Sequence, residues 1–271
     1  MVAHSADDAS SSSPTSWFHG ERTVELIAIG IVVLAIAGAQ WWSKRRRLRF
    51  RRLAPMEAID DAVGRATETG TPVVYITGWG GDMGRPTTMA SMAILSHVAT
   101  YTAEYNSRLL VPSHDPIVAS VAEDTIHQAA TLAGRPEWIQ SSEVTFVTQS
   151  QFGYAAAVDG LFARERPGAV FLIGSFEGEA LILAEGAQQC GAVTIAGSDS
   201  TIQLAFFLVA CDYTLIGEEL FAAPGLISGD PKVSAAVLAQ DWLKYAVLAV
   251  LLFGAVGLLA FHADLSALLS R

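Results

Sequence analysis

An apolar run over residues 23–43, followed at once by a basic segment over residues 44–54, constrains this chain more than any other feature. A helix of about 20 residues spans the roughly 30 Å hydrocarbon core of a bilayer. Trp41 and Trp42 stand at the end of the run, where aromatic side chains favour the membrane interface. The sequence therefore predicts a transmembrane helix over residues 23–43.

The basic segment predicts the orientation of that helix. Cationic side chains next to a membrane span are costly to translocate and are attracted to the anionic inner leaflet, so we expect this flank in the cytoplasm and the polar tail of residues 1–22 outside. A topology signal and a lipid-headgroup site are favoured over a nucleic-acid patch, because the segment adjoins the membrane helix directly. The predicted lipid-binding residues are Lys44, Arg45, Arg46, Arg47, Arg49, Arg51 and Arg52.

A second apolar run over residues 242–262 predicts another transmembrane helix, with Trp242, Lys244 and Tyr245 at its start. The run is apolar on every face, which favours a span over a helix lying on the membrane surface. Residues 263–271 would then form a short outer tail. The protein is predicted to be a two-pass protein of the cell membrane, with both termini extracytoplasmic and residues 55–241 in the cytoplasm.

The central region is strongly acidic, with 22 Asp and Glu against 7 Lys and Arg over residues 53–241. A surface of this charge is unsuited to nucleic acid, so none is predicted as a partner. Cys190 and Cys211 fall in the predicted cytoplasmic part, where thiols stay reduced, and are interpreted as buried small apolar residues.

Short β-rich runs alternate with helical segments through this region, which predicts an α/β domain with a doubly wound, mostly parallel sheet of about six strands. Pro55 begins a first helix that ends at Gly70. Turn signals predict an irregular return over residues 218–241, with a helix from Val233. The predicted strands cover residues 73–77, 108–111, 144–147, 169–173, 192–195 and 213–216, and the intervening helices cover residues 87–106, 115–133, 151–165, 178–190 and 200–210.

A glycine-rich loop over residues 78–84 follows the first predicted strand, where a dinucleotide-binding fold holds a pyrophosphate. Gly78, Gly80 and Gly81 are the candidate ligand-binding residues of this loop. The spacing departs from the dinucleotide pattern, because Met83 stands where the third glycine belongs and Asp82 would repel phosphate. The alternative interpretation is a glycine turn that packs closely against the sheet.

Polar residues follow the other predicted strands, and the carboxyl ends of parallel strands are the usual place for a ligand. Asp115, Glu177, Glu179 and Asp199 complete the predicted ligand-binding residues. Helix capping is favoured over ligand binding for Asp115 and Asp199, and a favourable helix dipole is the commoner explanation of the two glutamates.

The sequence motifs do not identify a particular reaction. Glu123 and His127 have the spacing of two metal ligands on a helix, but without a third ligand an ordinary surface pair is favoured, and no metal site is predicted. No known nucleophile or phosphate-binding motif is present. Catalytic residues and cofactors stay unknown, and the enzyme question is left open with a leaning against an enzyme.

Three stretches carry a resemblance to a family. Residues 58–68, 174–180 and 212–219 are similar to bacterial and archaeal membrane-bound proteins that share a domain of unknown function. The resemblance implies membrane attachment and a cytoplasmic Rossmann-like domain, and it transfers no catalytic residues.

Two functions follow from these features. The first is a membrane-anchored scaffold that self-assembles into a homo-oligomer, with a large ring as one form, and that contacts membrane lipids. Small residues such as Gly30, Gly38, Gly254 and Gly257 would let anchor helices approach closely. The alternative is a membrane-tethered enzyme or sensor that binds a nucleotide or another anionic small molecule at the carboxyl ends of the strands.

Overall fold

A computed structural model describes residues 23–45, 53–228 and 231–269 of the chain. The predicted outer tail of residues 1–22 and residues 46–52 of the basic segment lie outside the described residues. The helices are α1 (Thr23–Arg45), α2 (Ala54–Thr69), α3 (Pro86–Glu104), α4 (Pro116–Leu132), α5 (Gln151–Glu165), α6 (Ala180–Gln189), α7 (Thr201–Ala210), α8 (Glu219–Ser228) and α9 (Pro231–Leu269), with a 3-10 helix at Pro136–Ser141.

The chain divides into two compact units, Arg46–Val237 and the pair of segments Met1–Arg45 and Leu238–Arg271. The first unit contains a six-stranded sheet in the order β3-β2-β1-β4-β5-β6. Every neighbouring pair is parallel, which confirms the predicted α/β class and parallel sheet. The strands are β1 (Val73–Ile76), β2 (Leu109–Ser113), β3 (Ser142–Phe146), β4 (Ala169–Ile173), β5 (Val193–Ser198) and β6 (Tyr213–Ile216).

Two hydrophobic cores lie on opposite faces of this sheet. Successive residues of a strand point to opposite faces, so Val73 and Tyr75 enter one core while Val74 and Ile76 enter the other. Helices α2, α3, α4 and α8 cover the first face, and α5, α6 and α7 cover the second. This arrangement and the strand order are those of a doubly wound sheet, in which β1 and β4 flank the point where the winding reverses.

The region after β6 differs from the predicted irregular return. Glu219–Ser228 forms α8, which packs on α3, and α9 begins at Pro231. Pro224 lies inside α8 although the Pro-Gly pair indicated a turn. Leu220 and Ala223 are fully buried, and this burial stabilises a helix that the local signals disfavour. The 3-10 helix at Pro136–Ser141 was also not predicted.

The second unit contains α1 and most of α9. Among the described residues, one helix is long and apolar enough to cross a membrane, at Ala235–Gly257. It overlaps the predicted span of residues 242–262 but begins seven residues earlier. The described apolar part of α1, Ala28–Trp42, falls short of that length, so the predicted transmembrane helix over residues 23–43 stays a prediction. Within this unit the rings of Trp42 and Trp242 meet edge to face, 6.4 Å between centroids.

Candidate functional site

The loops that follow β1 and β4 meet at the carboxyl edge of the sheet. Gly78 has φ +80°, and a Cβ atom at this position would lie 2.1 Å from the carbonyl oxygen of Ser175. The backbone N–H of Gly80 donates a hydrogen bond to the same oxygen, 3.0 Å away. The glycines therefore allow direct backbone contact between two loops at the reversal point of the sheet, where an open α/β fold usually holds its ligand.

Glu179 is the central polar group of this contact, and its side chain is fully buried. Its carboxylate accepts hydrogen bonds from the backbone N–H of Trp79 at 2.9 Å and of Glu177 at 3.2 Å. The side-chain amide of Gln151 donates a third, at 2.9 Å. A buried charge requires such partners, and these donors come from the loops after β1 and β4 and from the first residue of α5.

Three backbone N–H groups of the glycine loop already donate hydrogen bonds within the protein, which limits their capacity to bind a phosphate. Trp79 N–H donates to Glu179, Gly80 N–H to Ser175 and Gly84 N–H to Asp82. These three amides are therefore already engaged by acceptors within the protein. In this conformation the loop holds an internal carboxylate close to the place where a dinucleotide-binding loop holds a phosphate.

His114 lies beside Glu179, between two aromatic rings. Its ring centroid is 6.0 Å from those of Trp79 and Tyr154. Its Nδ1 atom is buried and has no hydrogen-bond partner among the described residues. Burial lowers the pKa of His114, although the nearby carboxylates of Asp115 and Glu179 oppose that shift. The structure therefore favours the neutral imidazole.

Two more buried polar atoms lie near the same edge. The hydroxyls of Thr77 and Thr88 have no hydrogen-bond partner among the described residues. Thr77 follows β1, and Thr88 lies in the first turn of α3, beside Gly81. Groups of this kind are commonly satisfied by water or by a ligand.

The structure brings five of the seven predicted ligand-binding residues together: Gly78, Gly80, Gly81, Glu177 and Glu179. Glu177 is exposed, and its side chain packs close to Gly80.

Asp115 and Asp199 follow β2 and β5. Asp115 caps α4 by accepting from the N–H groups of Ile117 and Val118, as the capping interpretation predicts. Asp199 accepts from the Thr87 hydroxyl at 2.7 Å. Ser150 and Ser200 occupy N-cap positions, but neither side chain makes a capping hydrogen bond. Gln151 and His114 were not among the predicted site residues. Both lie near Glu179 only in the folded protein, and their positions in the sequence do not indicate this contact.

The predicted lipid-binding residues are only partly described. Lys44 and Arg45 are the last two residues of α1. Arg46, Arg47, Arg49, Arg51 and Arg52 lie outside the described residues. Glu123 and His127 are exposed on α4. Within the described ranges, no group of three His, Cys, Asp or Glu side chains is arranged to hold a metal ion.

A second concave region, which was not predicted from the sequence, lies between α2 and the strands β5 and β6. Its cavity of about 670 Å³ is lined by Asp60, Asp61, Glu68, Asp212 and one cation, Arg65. Residues 58–68 and 212–219, two of the stretches that carry the family resemblance, both border it. The acidic residues of α2 follow from the sequence alone. Their position beside Asp212 depends on the strand order.

These observations define a class: an α/β protein with an all-parallel six-stranded sheet and, within the part of the chain that the structure describes, one helix long and apolar enough to cross a membrane. The sequence matches the domain of unknown function DUF6754 over residues 13–268, and the chain belongs to that family. None of the curated proteins matches the sequence.

Proposed function

We propose that the protein is a membrane-anchored scaffold that self-assembles through its α/β domain. The observation that carries this proposal is the exposed apolar surface of α7. Of its ten residues, only Leu204 and Phe207 are buried. We define the α7 face as the exposed side chains of Ile202, Phe206, Leu208 and Val209 with the adjacent Ile216 of β6.

The α7 face is large enough to matter for association. Val209 is 86% exposed and Ile202 is 69% exposed. A fully exposed large side chain presents on the order of 200 Å², so the face presents on the order of 600 Å². This area is at the upper end of the roughly 300–600 Å² of the largest apolar patch on a typical monomer, and such patches are often functional.

Anchoring supports assembly, because it restricts copies of the domain to one plane with one orientation. Gly30, Gly254 and Gly257 leave open space where a side chain would stand, and small residues allow anchor helices to approach closely. Copies with the same sidedness are related by axes along the membrane normal. Closed assemblies are therefore rings, the form of homo-oligomer that we propose.

The proposed placement has two membrane spans, a cytoplasmic α/β domain and both termini outside. The seven cations of residues 44–52 are proposed to bind anionic lipid headgroups and to offset the acidity of neighbouring domains. The acidic domain supports the proposal that nucleic acid is not a partner.

The test is the particle mass of the full chain, extracted with its native lipids and measured by mass photometry and single-particle imaging. The wild-type protein should form a multi-subunit particle with the α/β domains in contact. Val209→Asp should reduce its mass, because a charge on the α7 face must be desolvated on association. The matched control is Leu132→Asp, which alters an apolar residue that is 83% exposed on α4. A wild-type monomer at both low and high salt would refute the proposal.

A second candidate function is a membrane-tethered sensor or enzyme that binds an anionic small molecule at the carboxyl edge of the sheet. The observation that favours it is the set of buried polar atoms without described partners: Thr77 Oγ1, Thr88 Oγ1 and His114 Nδ1. Binding an anion there requires displacement of the Glu179 carboxylate from the loop amides. A nucleotide and metabolite panel tests this function, because a ligand at 100 times its Kd adds about 2.7 kcal/mol to stability. No thermal shift across the panel would count against it.

A further inference from the structure

A groove runs along the second face of the sheet beside the edge strand β3. Its volume is about 360 Å³. The floor includes Leu110, Pro112 and Thr145, and α5 forms the wall with Ala157, Val158 and Leu161. The lining also carries Glu143, Arg164 and Glu165, so the groove combines apolar and charged side chains.

The groove exists because the helices of this face do not extend over β3. Tyr154, Val158 and Phe162 of α5 share a core with β1, β2 and β4. Glu143 and Thr145, which pair with Leu110 and Pro112 on the grooved face, are both exposed. Parallel sheets are normally covered on both faces, so this strip of sheet lacks the cover that such a sheet usually has.

We propose that the α7 face of a second copy occupies this groove; this inference rests on the self-assembly proposed above. The α7 face and the groove lie at opposite edges of the same sheet, beside β6 and β3. A contact between them is therefore heterologous: each copy donates its α7 face to one neighbour and accepts another neighbour's in its groove. Repetition of a heterologous contact gives a ring when the rotation between neighbours closes, and membrane anchors that keep the copies in one plane favour that outcome.

Area and charge favour a second copy as the occupant. The α7 face, on the order of 600 Å², approaches the roughly 800 Å² that one partner contributes to a stable interface. Residues 201–210 contain no charged side chain, so no charge of α7 itself would be desolvated in the groove.

The bilayer surface is the less suitable occupant. Helices that lie in the interface carry Lys or Arg on their polar side. The nearest charged residues on either side of α7 in the chain are Asp199 and Asp212, which an anionic leaflet repels.

Ala157→Arg tests the groove, because it places a long cation in the wall at an exposed helical position. The matched control is Ala156→Arg, at the adjacent exposed position of α5, which does not line the groove. Ala157→Arg should reduce the particle to single subunits, as Val209→Asp does, whereas Ala156→Arg should keep the wild-type mass. Circular dichroism checks that each variant is folded.

Co-expression of the two interface variants, with different tags, then identifies a heterologous contact. Each variant retains one intact surface, so Val209→Asp and Ala157→Arg together should form a one-to-one dimer and no larger species. In a background without Cys190 and Cys211, the double variant Val209→Cys, Thr145→Cys should cross-link between copies in native membranes. Val209→Cys alone should not.

Three results would overturn the inference in distinguishable ways. If Ala157→Arg assembles like the wild type while Val209→Asp does not, self-assembly stands and the groove is not the acceptor. If Val209→Cys alone cross-links to itself, the contact is two-fold between α7 faces. If the wild type is a monomer at both low and high salt, the inference and the proposed function fail together.

Discussion

At the scale of single residues, the Glu179 carboxylate holds two loops together. Glu179→Ala would leave the N–H groups of Trp79 and Glu177 and the amide of Gln151 without their acceptor. At about 1–3 kcal/mol for each unsatisfied buried group, we expect a loss of about 3 kcal/mol or more. The thermal midpoint of the full chain in one detergent should fall by roughly 2–4 °C per kcal/mol.

The control for that prediction is Glu177→Ala, in the same turn but with an exposed side chain. Its effect should stay within about 0.5 kcal/mol. Equal effects of the two variants would show that burial of the Glu179 carboxylate contributes nothing to stability.

His114 makes stability depend on pH. Because burial lowers its pKa in the folded protein, the unfolded chain binds more protons below the usual pKa of about 6.5. Stability is therefore fully present above that value and is lost as the pH falls toward the folded pKa. Thermal midpoints from pH 8 to pH 5 should show this decline.

His114→Asn, which keeps a polar side chain but removes the titrating imidazole, should reduce that decline. The pKa of His97 is also lowered by burial, so His97→Asn serves as the comparison and should remove a separate part of the decline. An unchanged pH profile in the His114→Asn variant would contradict the assigned environment of the imidazole.

At the scale of elements, the first turn of α4 is stabilised by a local hydrogen-bonding pattern. Asp115→Ala should destabilise the protein by about 1 kcal/mol, because the N–H groups of Ile117 and Val118 lose their acceptor. Asp124→Ala, an exposed change within the same helix, should have almost no effect. Thermal unfolding of the two variants in parallel measures the difference.

Elements with strong local signals were predicted from the sequence more reliably than elements whose formation depends on distant contacts. The spans of β4 and α5 match their predicted residues, because continuous apolar runs and helical periods are local signals. Helix α8 was missed, since its formation depends on burial against α3, which lies over 100 residues away in the chain. The helix over residues 200–210 was predicted, but only the structure places it at the β6 edge of the sheet, where most of its side chains are exposed.

At the scale of the whole molecule, the proposed two-pass topology predicts which positions face the cell exterior. In a background without Cys190 and Cys211, Ser10→Cys and Ser270→Cys should react with an impermeant maleimide in intact cells. Ala156→Cys, exposed on α5, should react only after permeabilisation. Labelling of Ala156→Cys in intact cells would show that the topology is the reverse of the proposed one. Protection of Ser10→Cys alone would show that the chain crosses the membrane only once.

The sequence by itself determined the fold class, the parallel sheet and the acidity of the domain, because hydrophobic period and charge are properties of neighbouring residues. Only the tertiary structure decided that Glu179 meets the loop of Gly78 and Trp79, about a hundred residues earlier. The strand order likewise decided that α7 and the β3 groove lie at opposite edges. These outcomes depend on which strands pair and which helices cover them, and no local pattern contains the free energy of those long-range contacts.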